Sequence, residues 1–378
     1  MTTAMTTPYT FVDGYPEFLH VCRELERARR IAVDTEADSM HHYPERVCLV
    51  QVATPESTYL LDSLALVDLS PLAKALSARG VLKLLHGADY DIRGLDRDWG
   101  LAVANLFDTH VAARFLGRER VGLAALLQEL LGIEIPKERR IQRADWSKRP
   151  LDDEALRYAA ADVCHLFALH DILAERLRKL GRLSWVEEEC ERLSEVRHTP
   201  LDLIATVLSL PESRKMDSRQ RAVLLSLYRY REEQARRLDR PPSHVLPPKA
   251  LAAIAADPSA RLEAHESLTP RQAQRFGRGI RSAVGEGLSA PPLERPAPTS
   301  PVRGRPTAGQ TRKLAALKAW RQAQAKELGI EVGLIWPMRS LERLAREPQT
   351  FAEELHSPEV RAWQRERFGA SLRLAVGG

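Results

Sequence analysis

Two acids one residue apart, Asp34 and Glu36, end the apolar stretch "RRIAVDTEADS" (29–39). In a strand, residues i and i+2 face the same side, so both carboxylates point together if the strand runs through them. Two close carboxylates repel each other and resist ionising together. A divalent cation relieves that conflict, because hard cations prefer carboxylate oxygens. Taken alone, the pair reads first as two solvated acids at a strand end. A second junction, "LKLLHGADYDIRGL" (82–95), leaves a strand and sets Asp89 and Asp91 in or near the first turn of a helix. Acids are favoured there as caps. Asp89 fits the cap, and Asp91, further in, is the candidate for a site at the strand ends. In "RPLDDEALRYAAADVCHLFALHDIL" (149–173), read as one long helix, Tyr158 and Asp162 stand at i and i+4 and share a face. The alanines at 159–161 let another layer approach. A Tyr–Asp hydrogen bond within the core is the alternative reading.

Competing chemistries leave no trace. There is no P-loop glycine-lysine motif and no G-x-S-x-G, and His and Cys show no zinc-like spacing. His41, His42 and His86 read as polar loop residues, and Asp108 in "FDTH" reads as a helix cap. The four cysteines have no paired spacing, which suits reduced thiols in a cytosol.

The elements that must hold these acids lie in residues 1–180. Three short runs, "RIAVDTE" (30–36), "RVCLVQVA" (46–53) and "STYLLD" (57–62), read as a three-strand meander. "LSPLAKALSARG" (69–80) reads as a helix, "VLKLLHG" (81–87) as a strand, "DYDIRGLDRDWG" as a helix and "ANLFDT" (104–109) as a strand. This alternation indicates a mixed α/β sheet with helices on its faces. From Gly181 onward the strand signals fade. Residues 206–286 carry helical periodicity, and 290–309 is rich in Pro, Gly, Ser and Arg and reads as a flexible linker. Helical periodicity resumes at Gln310 and follows the first helical segment at an offset of 90: Trp320 sits on Tyr230, Leu328 on Leu238, Pro337 on Pro247 and Leu341 on Leu251. One helical module is therefore expected twice.

With 378 residues the chain is too long for one ordinary core. Net charge is +5, yet residues 211–286 hold 15 Lys/Arg against 9 Asp/Glu. That excess of 6 exceeds the charge of the whole chain and points to a polyanionic partner for this segment. No apolar run approaches the roughly 20 residues of a membrane span, and the N-terminus shows no secretory signal. The segment "PKERRIQRADWSKRP" (136–150) is also basic, so Arg139, Arg140, Arg143, Lys148 and Arg149 are candidate phosphate contacts. Trp146 within it reads as a core anchor. In the first helical module Arg229, Arg231, Arg236 and Arg237 are candidates for the same role, against a plain solvated surface.

"VDTE", "HGADYDIRGL" and "YAAADVCHL", in this order and spacing, resemble the three exonuclease motifs of the DEDD superfamily. The match is to the DEDDy branch, whose third motif reads Tyr-x-x-x-Asp. "FDTHVAARFLG" and "RADWSKRPLDDEALRYAAADV" narrow the likeness to the ribonuclease D group and the related nuclear-exosome exonuclease, over about half the chain. The two helical modules resemble HRDC domains, which accompany this catalytic domain in ribonuclease D and occur in RecQ helicases; the second diverges more. The resemblance implies an α/β RNase H-like exonuclease domain with a mixed five-stranded sheet and flanking helices, followed by two all-α HRDC-like domains. The division expected is 1–205 exonuclease, 206–288 HRDC, 289–309 linker and 310–378 second HRDC-like domain. By motif position Asp34, Glu36, Asp91 and Asp162 are the metal-binding acids and Tyr158 holds the attacking water. The cofactors implied are two divalent ions, Mg2+ or Mn2+, with no organic cofactor. The activity implied is 3′-5′ exonucleolytic release of nucleoside 5′-monophosphates from RNA with a free 3′ end, tRNA precursors above all. A cytoplasmic monomer with no membrane partner is expected. A DNA 3′-5′ exonuclease of the same type and an inactive nucleic-acid-binding module are the alternatives.

Overall fold

The computed structural model describes residues 8–135, 139–262, 265, 267–296 and 305–377. Its sheet is built on the run Ile31–Val33, aliphatic residues that pack on both faces of a buried strand. In chain order the first elements are β1 (Thr10–Val12), α1 (Tyr15–Arg27), β2 (Arg30–Ala37), β3 (Val47–Ala53), β4 (Thr58–Leu61), α2 (Ser63–Leu66) and α3 (Ala73–Ser77). They are followed by β5 (Leu82–Leu85), α4 (Asp89–Trp99), β6 (Leu106–Asp108), α5 (Thr109–Phe115) and α6 (Leu123–Leu131). Next come α7 (Arg139–Gln142), α8 (Asp153–Cys164), α9 (Leu166–Lys179) and α10 (Leu183–Ser194). The strand order is β1-β4-β3-β2-β5-β6. β3 and β4 are antiparallel, whereas β1–β4, β2–β5 and β5–β6 are parallel.

The expected meander is β2–β3–β4. The five expected strands gain a sixth, β1, whose three residues pair with Tyr59–Leu61 and are too few to show a periodicity in sequence. The expected single helix over 149–173 is two helices meeting at His165. Each serves a different core. Ala159 and Ala160 of α8 pack with Cys48, Leu49, Leu60 and Trp146, while Leu166, Leu169 and Leu173 of α9 join the main core of the sheet. The helix expected over 69–80 is a short 3-10 turn, Ser70–Leu72, followed by α3.

The rest is helical: α11 (Leu203–Ser209), α12 (Ser218–Leu238), α13 (Pro242–Val245), α14 (Pro248–Ala256) and α15 (Pro270–Ser289). Then follow α16 (Ala308–Leu328), α17 (Val332–Ile335), α18 (Met338–Arg346), α19 (Phe351–Leu355) and α20 (Ala362–Gly377). The repeat extends to hydrogen bonds. Asp217 and Gln220 form a capping box on α12, and Thr307 and Gln310 form one on α16. Gln220 Nε2 donates to Ala256 O at 2.7 Å and Gln310 Nε2 to Arg346 O at 3.3 Å. Of the expected linker, residues 297–304 lie outside the described residues. Leu293, ahead of them, is bound to the first module: its N–H donates to Ser218 O at 2.9 Å and its carbonyl accepts from Arg221 Nε at 2.8 Å.

Packing groups the chain into two units. One contains the sheet, its helices and the module α16–α20; the other contains the module α11–α15 and the β2–β3 loop, Ala37–Arg46. In the first unit Trp185 of α10 stacks on Trp363 of α20 with ring centroids 4.7 Å apart. The Glu188 carboxylate accepts from Ala362 N at 2.7 Å and Trp363 N at 3.0 Å, and so caps α20 from another element. In the second unit the loop is held by Asp239, whose carboxylate meets His42 Nδ1 at 2.6 Å and accepts from Tyr43 N at 3.0 Å. Among the described residues no helix is long and apolar enough to cross a membrane.

Candidate active site

β2 pairs with β5 through Arg30–Ala32, so Asp34 and Glu36 lie beyond that ladder, near the level where β5 turns into α4. α8 contributes Tyr158 and Asp162. Carboxylate oxygens of Asp34, Glu36 and Asp162 lie within 4.8 Å of one another. Asp91, 6% exposed on the first turn of α4, is outside this trio, and its Oδ1 accepts from Thr35 Oγ1 at 2.6 Å. Its charge nevertheless reaches Asp34, Glu36 and Asp162.

The electrostatics are those of a crowded acid pocket. Burial first, and then the charges of Asp91, Asp162 and Glu36, push Asp34 well above the usual carboxylate range. Glu36 is pushed up by burial and by Asp162 and Asp91. Burial raises Asp91 to about 7, with the Thr35 hydroxyl opposing. Asp162 also rises to about 7 through burial, with Asp91 adding and a hydrogen bond from Tyr158 opposing. The Tyr158 phenol is held far above its ordinary value, first by burial and then by Asp162. Gln142 Nε2 donates to the Tyr158 oxygen at 3.2 Å, while the phenol's own proton is the one donated to Asp162. The charges acting on Asp34 are of its own sign, and every candidate ligand atom is a carboxylate oxygen. Such a set fits a hard divalent cation.

The structure thus brings Asp34, Glu36, Tyr158 and Asp162 together, with Asp91 alongside. Asp89 is not the cap expected of it: it is exposed and pairs with Arg93 at 2.8 Å. Asp108 caps α5, accepting from His110 N at 2.8 Å, and also accepts from Gly87 N at 3.0 Å and Ala88 N at 2.9 Å. His86 is a satisfied ring whose Nδ1 meets Thr109 Oγ1 at 2.9 Å. Two of the candidate RNA contacts need correction. Arg149 spends all five N–H groups internally, on both oxygens of Asp62 and on the carbonyls of Trp146, Lys148 and Cys48, so none remains for a phosphate. Arg231 is 8% exposed, lies over the Tyr228 ring and pairs with Glu232 at 3.2 Å. The Arg139 side chain is outside the described residues. Arg140, Arg143, Lys148, Arg229, Arg236 and Arg237 are exposed, with Arg140 paired to Glu154 and Arg237 to Gln234. Trp146 is buried. Sequence reasoning missed Thr35, Gln142 and Asp62. Only Thr35, lying between two candidate acids, gave any signal.

Residues 9–178 match the family model of 3′-5′ exonuclease domains, and residues 220–284 and 310–376 each match that of the HRDC domain. The chain is similar to ribonuclease D of Granulibacter bethesdensis, 31% identical over 382 residues that cover 98% of this chain and 93% of that protein. It is 34% identical to ribonuclease D of Xanthomonas oryzae pv. oryzae over 324 residues, 84% of this chain and 86% of the other. The crystal structure of Escherichia coli RNase D shares the fold, with a TM-score of 0.77 at 22% identity over 98% of this chain and 99% of that one.

Proposed function

Because the chain belongs to the ribonuclease D family of 3′-5′ exoribonucleases, which use divalent metal, we propose that Asp34, Glu36, Asp91, Asp162 and Tyr158 form its catalytic centre. The observation that carries this reading is the convergence of Asp34, Glu36 and Asp162 within 4.8 Å, in mutual repulsion. The four acids would hold two divalent ions, Mg2+ or Mn2+. When bound, such ions neutralise the pocket and stabilise the attacking and leaving oxygens of a phosphodiester.

The chain's own groups do the rest. Tyr158 keeps its proton at neutral pH, since burial and neighbouring carboxylates hold the phenol protonated. Its role is therefore to position a water by hydrogen bonding and not to abstract a proton. Gln142 fixes the phenol oxygen from behind. Glu36 accepts a hydrogen bond from the terminal 3′-hydroxyl, which favours chain ends over internal bonds. Arg140, Arg143 and Lys148 near α8, and Arg229, Arg236 and Arg237 on α12, supply exposed positive charge for the RNA backbone. We take the exonuclease domain as 1–205 and the HRDC modules as 206–288 and 310–378, acting as a monomer in the cytoplasm.

The natural substrate in this reading is a tRNA precursor or other small stable RNA with a 3′ extension. It rests on the family; the Escherichia coli relative is described as an exoribonuclease involved in structured RNA processing. The test is digestion of a 3′-extended tRNA and of matched single-stranded RNA and DNA, with Mg2+ or with chelator, reading product size. Mononucleotides released only with metal, and faster from RNA, are expected. Asp34→Asn is expected to bind RNA and to lose about 100-fold or more in turnover. Near-normal turnover of that variant in Mg2+ removes Asp34 from the mechanism.

A further inference from the structure

Asp108 lies at the end of β6 and is 1% exposed. Its Oδ1 accepts from His110 N at 2.8 Å and Val111 N at 3.3 Å, as an N-cap of α5 does. A cap needs one side-chain oxygen, and Ser, Thr or Asn supplies it without charge. Asp108 uses both of its oxygens. Oδ1 also accepts from Gly87 N at 3.0 Å, and Oδ2 accepts from Ala88 N at 2.9 Å. Gly87 and Ala88 are the turn that launches α4. That turn has Gly87 at φ 78°, where a glycine is favoured, and α4 has no side-chain cap of its own. Three residues beyond Ala88 stands Asp91.

Both oxygens therefore tie the start of α4 to the end of β6, Oδ1 through Gly87 and Oδ2 through Ala88. The anchor is itself fixed: Asp108 N–H donates to the buried Cys190 Sγ at 3.2 Å, and Thr109 Oγ1 donates to Leu85 O at 3.1 Å. Thr35 holds Asp91 from the other side, on β2. Asp91 is located by two strands, through one direct and one indirect bond. There is a cost, because Asp108 adds negative charge near Asp91 and pushes its carboxyl up. An Asn cap would avoid that cost and keep the Oδ1 bonds to α5 and Gly87, but it would lose the bond to Ala88 N at the start of α4. We propose that Asp108 is a positioning residue for the nuclease site, fixing the first turn of α4 so that the Asp91 carboxylate stands where the metal ions need it. This rests on the reading of Asp91 as a metal-holding acid.

Two variants separate positioning from folding. Asp108→Asn keeps an oxygen for α5 and Gly87 and places an NH2 opposite the Ala88 N–H. Asp108→Ser keeps the α5 cap and is too short to reach the α4 turn. Metal affinity is read without RNA, from free Mn2+ by electron paramagnetic resonance, and kcat and KM are read on single-stranded RNA in Mg2+. Both variants are expected to melt cooperatively and to lose about tenfold or more in Mn2+ affinity and kcat. KM for RNA is expected to stay within about twofold. In an Asp91→Ala background, adding Asp108→Asn is expected to weaken Mn2+ binding no further, because its effect passes through the removed carboxylate. Wild-type Mn2+ affinity and kcat in either variant overturns the proposal, as does an undiminished extra loss on top of Asp91→Ala. If Asp91→Ala alone leaves Mn2+ binding and turnover intact, the assignment of Asp91 fails first and takes this proposal with it.

Discussion

Replacing Asp162 with Asn is expected to stabilise the metal-free protein while it disables the enzyme. The substitution removes one charge from the acid pocket and keeps an oxygen to accept from Tyr158. In the metal-free chain Asp162 is raised from 3.8 to about 7, first by burial and then by the charge of Asp91. A carboxyl whose folded value exceeds its unfolded value stabilises the fold when protonated. That stability is present at low pH and is lost as pH rises from about 4 through about 7. A displacement of about three pH units corresponds to about 4 kcal/mol at pH 8. Asn carries no such penalty. In chelator at pH 8 the variant should therefore melt above the wild type, by about 5 °C or more. At pH 5 the gap should shrink, since the wild-type carboxyl is then protonated. Millimolar Mg2+ should reverse the order, because binding to the folded state raises the wild-type melting temperature and raises the variant's far less. Thermal melts at both pH values, with EDTA and with Mg2+, read all four conditions. A variant that melts no higher than wild type in EDTA at pH 8, or that gains the same increment from Mg2+, refutes the picture of a repulsive pocket waiting for cations.

Arg149→Ala should cost about 3 kcal/mol by stranding Asp62, whose side chain is 6% exposed, and should leave RNA affinity within about twofold. Burial pushes the Asp62 carboxyl up, but Arg149 and the N–H groups of Leu64 and Ala65 outweigh it and hold it below the ordinary range. The pair's contribution is thus present above that range and lost as pH falls, so urea melts at pH 7 and pH 3 should show the deficit shrinking in acid. Tyr158→Phe should lower kcat about 100-fold with KM little changed, measured by steady-state digestion of single-stranded RNA; an equal loss in both would give the phenol a structural role. Trp363→Ala removes the partner of Trp185 and should cost about 3 kcal/mol in thermal unfolding without changing kcat at 25 °C.

The parts of the fold that were legible in sequence share a cause: each is local. Short runs rich in Val, Ile, Leu and Tyr mark β2, β3 and β4, and the offset of 90 carries from matching letters to matching helices, since α12 and α16 each span 21 residues. The break at His165 was not legible, because α8 and α9 are continuous in helical pattern and differ only in which core they face. That Asp34, Glu36 and Asp162 meet was legible through motif spacing. The hydrogen bond from Thr35 to Asp91 was not, since its partners lie 56 residues apart in the chain. The basic candidates failed where a guanidinium found internal partners. Nothing in "SKRP" tells that Arg149 meets Asp62 at 2.6 Å, 87 residues upstream. Charge in a sequence marks a possible partner and leaves open whether that partner is inside the molecule.

Equivalent positions in the two helical modules end their first long helix with a left-handed residue, Asp239 at φ 49° and Gly329 at φ 62°. Asp239 is a handle, gripping His42 and the backbone of Tyr43. Gly329 is a bare shoulder against which the main chain at Gly117 rests, so close that a Cβ on Gly117 would come within 1.8 Å of the Gly329 oxygen. The same architectural plan has been cut for two sockets, and the modules are not interchangeable spares. The place fitted for hydrogen alone is Gly117: a Cβ on Gly329 would meet nothing within 4 Å, so the second socket depends on a glycine supplied from outside the helical module.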